Sequence, residues 1–171
     1  TLRMLHYPPC DPDPSPGASC AIRCGEHTDF GAFTFLLVSD FHDESSLGLQ
    51  VKAVEGGEVG ADTDLEAGWS DVVFDDEALR AMDGDETCAV IVNTGALMGR
   101  WTNDVWRATA HRVVAAPGAC SSHRHSMAMF IDPDRGTVCS VHDRFLGAGE
   151  KPKYPPISSF EYLMMKLNEA Q

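Results

Sequence analysis

The chain has 171 residues, 43% of them hydrophobic, and a formal net charge of −13. That length suits one domain with a sizeable core, and no apolar run is long enough to span a bilayer. The charge argues against a nucleic-acid backbone as partner, because the basic footprint that such binding needs is missing.

The predicted elements begin at once, with a strand over Leu2-Arg3-Met4-Leu5-His6-Tyr7. A chain that opens at Thr1 inside a strand suggests a fragment or an excised domain, and no signal-peptide pattern precedes it. The prolines between Pro8 and Pro16 stop regular structure and set a stiff loop. Phe33–Val38 is aromatic and aliphatic without helical spacing, so it is predicted as a buried strand. Gly48–Val54 alternates and is predicted as a half-buried one. An acidic insertion follows, at about 55–87. Twelve acidic residues lie between Glu55 and Glu86, opposed only by Arg80, so this stretch holds −11 of the −13. It reads as a solvated surface, since no Asp-x-Asp-x-Asp-Gly calcium loop is present. Within it Trp69–Val73 is expected as a short strand and Asp75–Met82 as a short helix.

Strands are then expected at Cys88–Asn93, Trp106–Val114, His125–Ile131 and Thr137–Val141, with turns at Thr94-Gly95, Thr102–Asp104, Pro117-Gly118 and Asp132–Asp134. Ala96–Trp101 is too short for more than one helical turn. Ser158 to Leu167 has a capping-box start and apolar residues at Phe160, Leu163, Met164 and Leu167, which predicts one amphipathic helix. Many short strands and a single terminal helix indicate an all-β fold, a jelly roll with a C-terminal α-helix and an acidic insertion. One domain over 1–171 is expected. Cys10, Cys20, Cys24, Cys88, Cys120 and Cys139 show no zinc spacing and read as free thiols in a reducing, cytoplasmic setting.

Two constellations carry chemistry. In Gly25-Glu26-His27-Thr28-Asp29-Phe30-Gly31, His27 and Asp29 are two apart, so on an extended strand both leave one face. A later strand can bring His111 to that face. Two imidazoles and a carboxylate capping one side of a metal form the facial triad of non-haem Fe(II) oxygenases. Downstream, Arg124 and Ser126 share a strand face with Ala128 and Phe130. An inward arginine is costly unless an anion meets it, and its planar fork matches a carboxylate. Ser126 and the Tyr7 phenol are further donors. A dicarboxylate chelating the metal at one end would reach Arg124 with the other.

His123 and His125 alternate with Arg124 and Ser126, so they are expected to face the other way. His6, His42 and His142 read as lone structural histidines, and Met127 and Met129 as core filler. Phe30, Phe130 and Phe145 are candidates for a pocket wall or for packing.

Across nearly its whole length the chain resembles the C-terminal catalytic domain of the isopenicillin N synthase-like branch of the Fe(II)/2-oxoglutarate oxygenases. The resemblance rests on Leu5–Cys10, Gly25–Gly31, Gly48–Val51, Val92–Gly95, Arg100–Asn103, His111–Val114 and Arg124–Ser126, in order. It implies a double-stranded β-helix, with His27, Asp29 and His111 as iron ligands. It also implies that Arg124 and Ser126, helped by Tyr7, hold the far carboxylate of 2-oxoglutarate. The activity implied is oxidation of a small organic substrate with O2, releasing succinate and CO2. A monomer without nucleic-acid or membrane partners is expected. Two same-fold relatives, isopenicillin N synthase and aminocyclopropane-carboxylate oxidase, share Arg-x-Ser without using 2-oxoglutarate. An oxidase of that kind is the alternative, and a non-catalytic binding module is the rival from another class. The chain departs from the family at Leu5, where Asn is common, and at Gly95–Gly99, where Gly-Asp-x-x-Gln is common.

Overall fold

In the computed structural model, residues 1–9, 22–38, 48–52, 68–73, 90–115 and 123–170 are described. Most of the acidic insertion, including the helix expected at Asp75–Met82, lies outside them. Ten strands are present among the described residues: β1 (Leu2–Tyr7), β2 (Ile22–His27), β3 (Phe33–Val38), β4 (Leu49–Lys52), β5 (Trp69–Asp71), β6 (Ile91–Thr94), β7 (His111–Val114), β8 (Arg124–Ile131), β9 (Val138–Cys139) and β10 (Ile157–Ser158). Two α-helices accompany them, α1 (Ala96–Trp101) and α2 (Ser159–Glu169).

The strands form two four-stranded sheets, ordered β1-β8-β3-β6 and β2-β7-β4-β5, and a β10-β9 pair. Every pairing is antiparallel. This is a jelly roll, as expected from the strand pattern. The alternation of β8 sorts its residues: Arg124, Ser126 and Ala128 are buried, while His125 and Met129 are exposed. In β3, Thr34 and Val38 are buried and Phe35 is exposed. The buried faces therefore carry polar groups between the sheets.

Several elements differ from expectation. The strand predicted from Trp106 is regular only over His111–Val114, with residues 107–110 outside the ladder; before them the expected turn is present, with Asn103 and Asp104 at positive φ. Lys153 and Tyr154 hold that turn: Lys153 Nζ and the Tyr154 hydroxyl donate to the two Asp104 oxygens at 3.1 and 2.8 Å. The α1 segment makes six helical residues and buries Leu97, Met98 and Gly99.

At α2 the capping box is present, with the Ser158 hydroxyl accepting from the Glu161 amide and the Glu161 carboxylate from the Ser158 amide. The buried residues are Ser159 and Tyr162, not the expected stripe; Phe160, Met164 and Leu167 are exposed. The helix docks through Tyr162, which clusters with Leu97 and Cys139. Tyr162 lies on the helix face opposite Phe160, Met164 and Leu167, so docking through it turns those three outward. Burial there pushes the Tyr162 phenol up to about 12, against the pull of Arg100.

His6 is not a lone histidine. It pairs with His125 across β1 and β8, its ring stacks at 4.6 Å, and its Nε2 lies 2.8 Å from His123 Nδ1. Met129 is 47% exposed on the same outer face rather than in the core.

Candidate active site

His27 closes β2 and sits directly opposite His111 of β7. Two register irregularities, between Ile22 and Cys24 and between Cys24 and His27, bring this about. Bulges of this kind re-aim a side chain beside a site; unbulged pairing onward from Ile22 and Val114 would have set Gly25 against His111. The two imidazole centres are 4.3 Å apart. Asp29 lies past the strand end, so its placement does not come from strand alternation. It is held by its backbone instead.

The first turn of α1 provides that hold. The amides of Gly95, Ala96 and Leu97 have no partner within their own helix, and they donate to the carbonyls of Ala32, Asp29 and Phe30 at 2.9, 2.7 and 3.2 Å. Close approach requires glycine at position 95, where a Cβ would stand 2.2 Å from the Gly31 carbonyl oxygen. The helix end thereby anchors the loop that carries Asp29.

The Asp29 carboxylate is 7% exposed and asymmetric in its contacts. Its Oδ2 accepts from the Thr34 hydroxyl at 2.6 Å and from Asn93 Nδ2 at 2.9 Å. Its Oδ1 faces His111 Nε2 at 3.9 Å. Both histidines are also oriented. His27 Nδ1 lies 2.8 Å from the Gly25 carbonyl and His111 Nδ1 lies 2.9 Å from the Thr109 carbonyl. A carbonyl only accepts, so each Nδ1 carries a proton, and in the neutral ring Nε2 then presents its lone pair. One ligand atom from each of His27, Asp29 and His111 lies within 4.8 Å of the others.

Two neutral imidazole nitrogens and one carboxylate oxygen are the donor set of a non-haem Fe(II) site with open positions. Carbonyl and hydroxyl contacts behind each donor are the usual outer support of such ligands. The residues present therefore fit the metal.

The triad opens on a cavity of about 400 Å³ between the sheets, lined by Tyr7, Arg124 and Ser126 as well as by the three donors. Apolar residues such as Leu36, Leu49, Val51 and Val113 make up the wall. Tyr7 pairs with Arg124 across β1 and β8, and the Arg124 Cζ lies 5.0 Å from the Tyr7 ring centre. Burial pushes the Arg124 pKa below its ordinary value; Arg23 acts in the same direction, and Tyr7 and Cys24 oppose it. All six residues singled out from the sequence thus line one cavity. Of the phenylalanine candidates, Phe130 lines it and Phe30 and Phe145 do not. Leu5, one of the departures, also faces it.

Thr34 and Asn93 escaped the sequence reading as site residues. A signal was available at Thr34, the one polar side chain in Phe33–Val38, on a face expected to be apolar.

The profile of the 2OG-Fe(II) oxygenase superfamily matches residues 1–133. The chain is 34% identical over 168 residues to the 2-oxoglutarate-Fe(II) type oxidoreductase ppzD of Metarhizium majus, covering 97% of this chain and 41% of that protein. It is 35% identical over 158 residues to the 2-oxoglutarate-Fe(II) type oxidoreductase hxnY of Emericella nidulans, covering 92% and 36%. A full-length Neurospora crassa protein, solved by crystallography in complex with alpha-KG, superposes with a TM-score of 0.69 at 31% identity, over 99% of this chain and 44% of that one. The chain thus spans less than half the length of these relatives. Since the profile runs from β1 through β8 and takes in both constellations, this chain belongs to the 2OG-Fe(II) oxygenase superfamily.

Proposed function

We propose that the protein is an Fe(II)- and 2-oxoglutarate-dependent dioxygenase that oxidises a small organic substrate. The observation that carries the reading is the pairing, in one cavity, of a three-donor metal cradle with a buried arginine. When bound, iron and 2-oxoglutarate supply the oxidising power, with O2 consumed, 2-oxoglutarate converted to succinate and CO2, and a substrate C–H bond oxidised.

The chain's own residues do the rest. His27 Nε2, His111 Nε2 and Asp29 Oδ1 would hold the metal at the edge of the cavity. Thr34 and Asn93 fix the Asp29 carboxylate so that only Oδ1 is offered. Arg124 takes the far carboxylate of 2-oxoglutarate through its planar fork, with the Ser126 and Tyr7 hydroxyls as further donors. The apolar wall excludes water, which strengthens each of these contacts. A relative supports the cosubstrate and small-molecule reading: the Neurospora crassa protein has also been solved with alpha-KG and thymine together.

The test is an anaerobic titration with Fe(II) and then 2-oxoglutarate, following the visible charge-transfer band of a metal-chelated 2-oxo acid. A band that forms in the wild type and weakens in Arg124→Met is the expected result. Iron binding without a band would replace this reading with that of an oxidase needing no 2-oxo acid. Absence of iron binding would leave a non-catalytic module.

A further inference from the structure

The polar groups that line the cavity can be assigned almost completely. His27, Asp29 and His111 face the metal position. Thr34 and Asn93 are spent on Asp29, and the Thr94 hydroxyl donates to the Arg107 carbonyl at 2.9 Å. Tyr7, Arg124 and Ser126 form the anion end. One charged lining residue remains, Arg3. Its guanidinium lies 5.9 Å from the centre of the Phe130 ring and makes no hydrogen bond or ion pair among the described residues.

Its place in the ladder separates it from the cosubstrate anchor. Arg3, Leu5 and Tyr7 follow one another along the inward face of β1; Arg3 is opposite Ala128 and Tyr7 opposite Arg124. Four residue steps along the strand separate the levels of the two arginines, roughly 13 Å of rise. Thr34, which supports Asp29, is opposite Phe130, only two residues from Ala128. Arg3 therefore belongs to the metal end. A dicarboxylate held between the metal and Arg124 has both ends occupied and leaves Arg3 for another molecule.

We infer that Arg3 selects a primary substrate carrying an oxyanion, a carboxylate or a phosphate ester, on an apolar body. This rests on the dioxygenase reading above. The fork of an arginine fits either oxyanion in a two-point contact, and the Phe130 face holds it in place before the substrate arrives. Leu36, Ile91, Val51 and Val72 line the cavity and offer the apolar body no polar competitor. In a chain of net charge −13, a cation of its own is what lets the pocket gather anions against the overall field.

The test uses the Fe(II)-loaded protein, held anaerobic, with and without 2-oxoglutarate. The probes are small arylalkyl carboxylic acids with their primary amides, and phosphate monoesters with their parent alcohols, and the readout is Kd by calorimetry. At least one class of anion is expected to bind about tenfold or more tightly than its neutral counterpart. Arg3→Met should level the pair, Arg3→Lys should keep part of the preference, and 2-oxoglutarate Kd should stay as in the wild type. The class that discriminates identifies the oxyanion. The inference is overturned if no anion outbinds its neutral counterpart, or if Arg3→Met keeps the preference. It is also overturned if the preference is lost in Arg124→Met instead, which would place the probes at the cosubstrate end. Failure of 2-oxoglutarate itself to bind would sink the cosubstrate reading, while the probe series without 2-oxoglutarate still decides on Arg3.

Discussion

The two faces of the β1-β8-β3-β6 sheet are built by the same strands and have opposite character. Inward, Thr34, Ser126 and Arg124 are each less than a tenth exposed. Outward, Leu2, Met4, Phe35, Val92 and Met129 range from 37% to 75% exposed. Two of the three β1-β8 pairs on the outer face are apolar, Leu2 with Met129 and Met4 with Met127, and the third is His6 with His125. Strand alternation separates two sets of side chains; it does not say which set is inside. Here polar groups are inside because they have work to do there. Thr34 and Asn93 have the Asp29 carboxylate, and a guanidinium as buried as that of Arg124 favours an anion beside it. On the proposed reading the inner face is a binding surface first and a packing surface second.

Breaking the inner face should have the largest effects. Asp29→Ala removes the only anionic donor of the triad and should weaken Fe(II) binding by more than about 100-fold, beyond what loss of an outer contact does. Anaerobic Fe(II) titration checks it, and near-normal affinity would show that this carboxylate is not a ligand. Arg124→Met should weaken 2-oxoglutarate binding by about 100-fold, within the range for truncating one partner of a buried charge pair, with Fe(II) Kd unchanged. Thr34→Val and Asn93→Ala should each weaken Fe(II) by about tenfold, because Asp29 Oδ2 keeps one donor in either variant. Together they leave it none, so the double variant should lose more than the product of the two. Strict additivity would mean that the two donors do not act on one oxygen.

Much of this was legible in the sequence, and the remainder was hidden for identifiable reasons. The Arg124, Ser126 face follows from alternation, and the His27, Asp29, His111 set was identifiable from its residue types and spacing, although alternation is not what places Asp29. What spacing could not give is how His27 meets His111, since that depends on two inserted residues in β2. Nor could it show Asp29 hung on the amides of α1 beyond the strand end. Thr34 hid among β-formers because threonine suits a strand whether or not its hydroxyl is used. The partner of His6 is 117 residues away, at His123, and only the β1-β8 register brings them together. At α2, counting apolar residues chose Phe160, Met164 and Leu167, while the structure chose Tyr162, whose single ring fills the gap beside Leu97 and Cys139.

The outer face yields the smallest expected effect and the sharpest version of the comparison. Met4 and Leu5 are adjacent in β1 and point to opposite sides of the sheet, Met4 75% exposed and Leu5 lining the cavity. Met4→Lys places a charge where water already reaches, so its cost should be within about 0.5 kcal/mol of zero. Leu5→Lys puts an unpaired ammonium beside Arg124 and Tyr7 and should cost several-fold more, at least about 2 kcal/mol. Urea denaturation of the two variants, read as midpoint shifts at constant m, measures the ratio. Equal costs would mean that the outer face is covered in solution. A midpoint that then rises with protein concentration would identify the cover as a second copy of the chain, because only association makes stability depend on concentration.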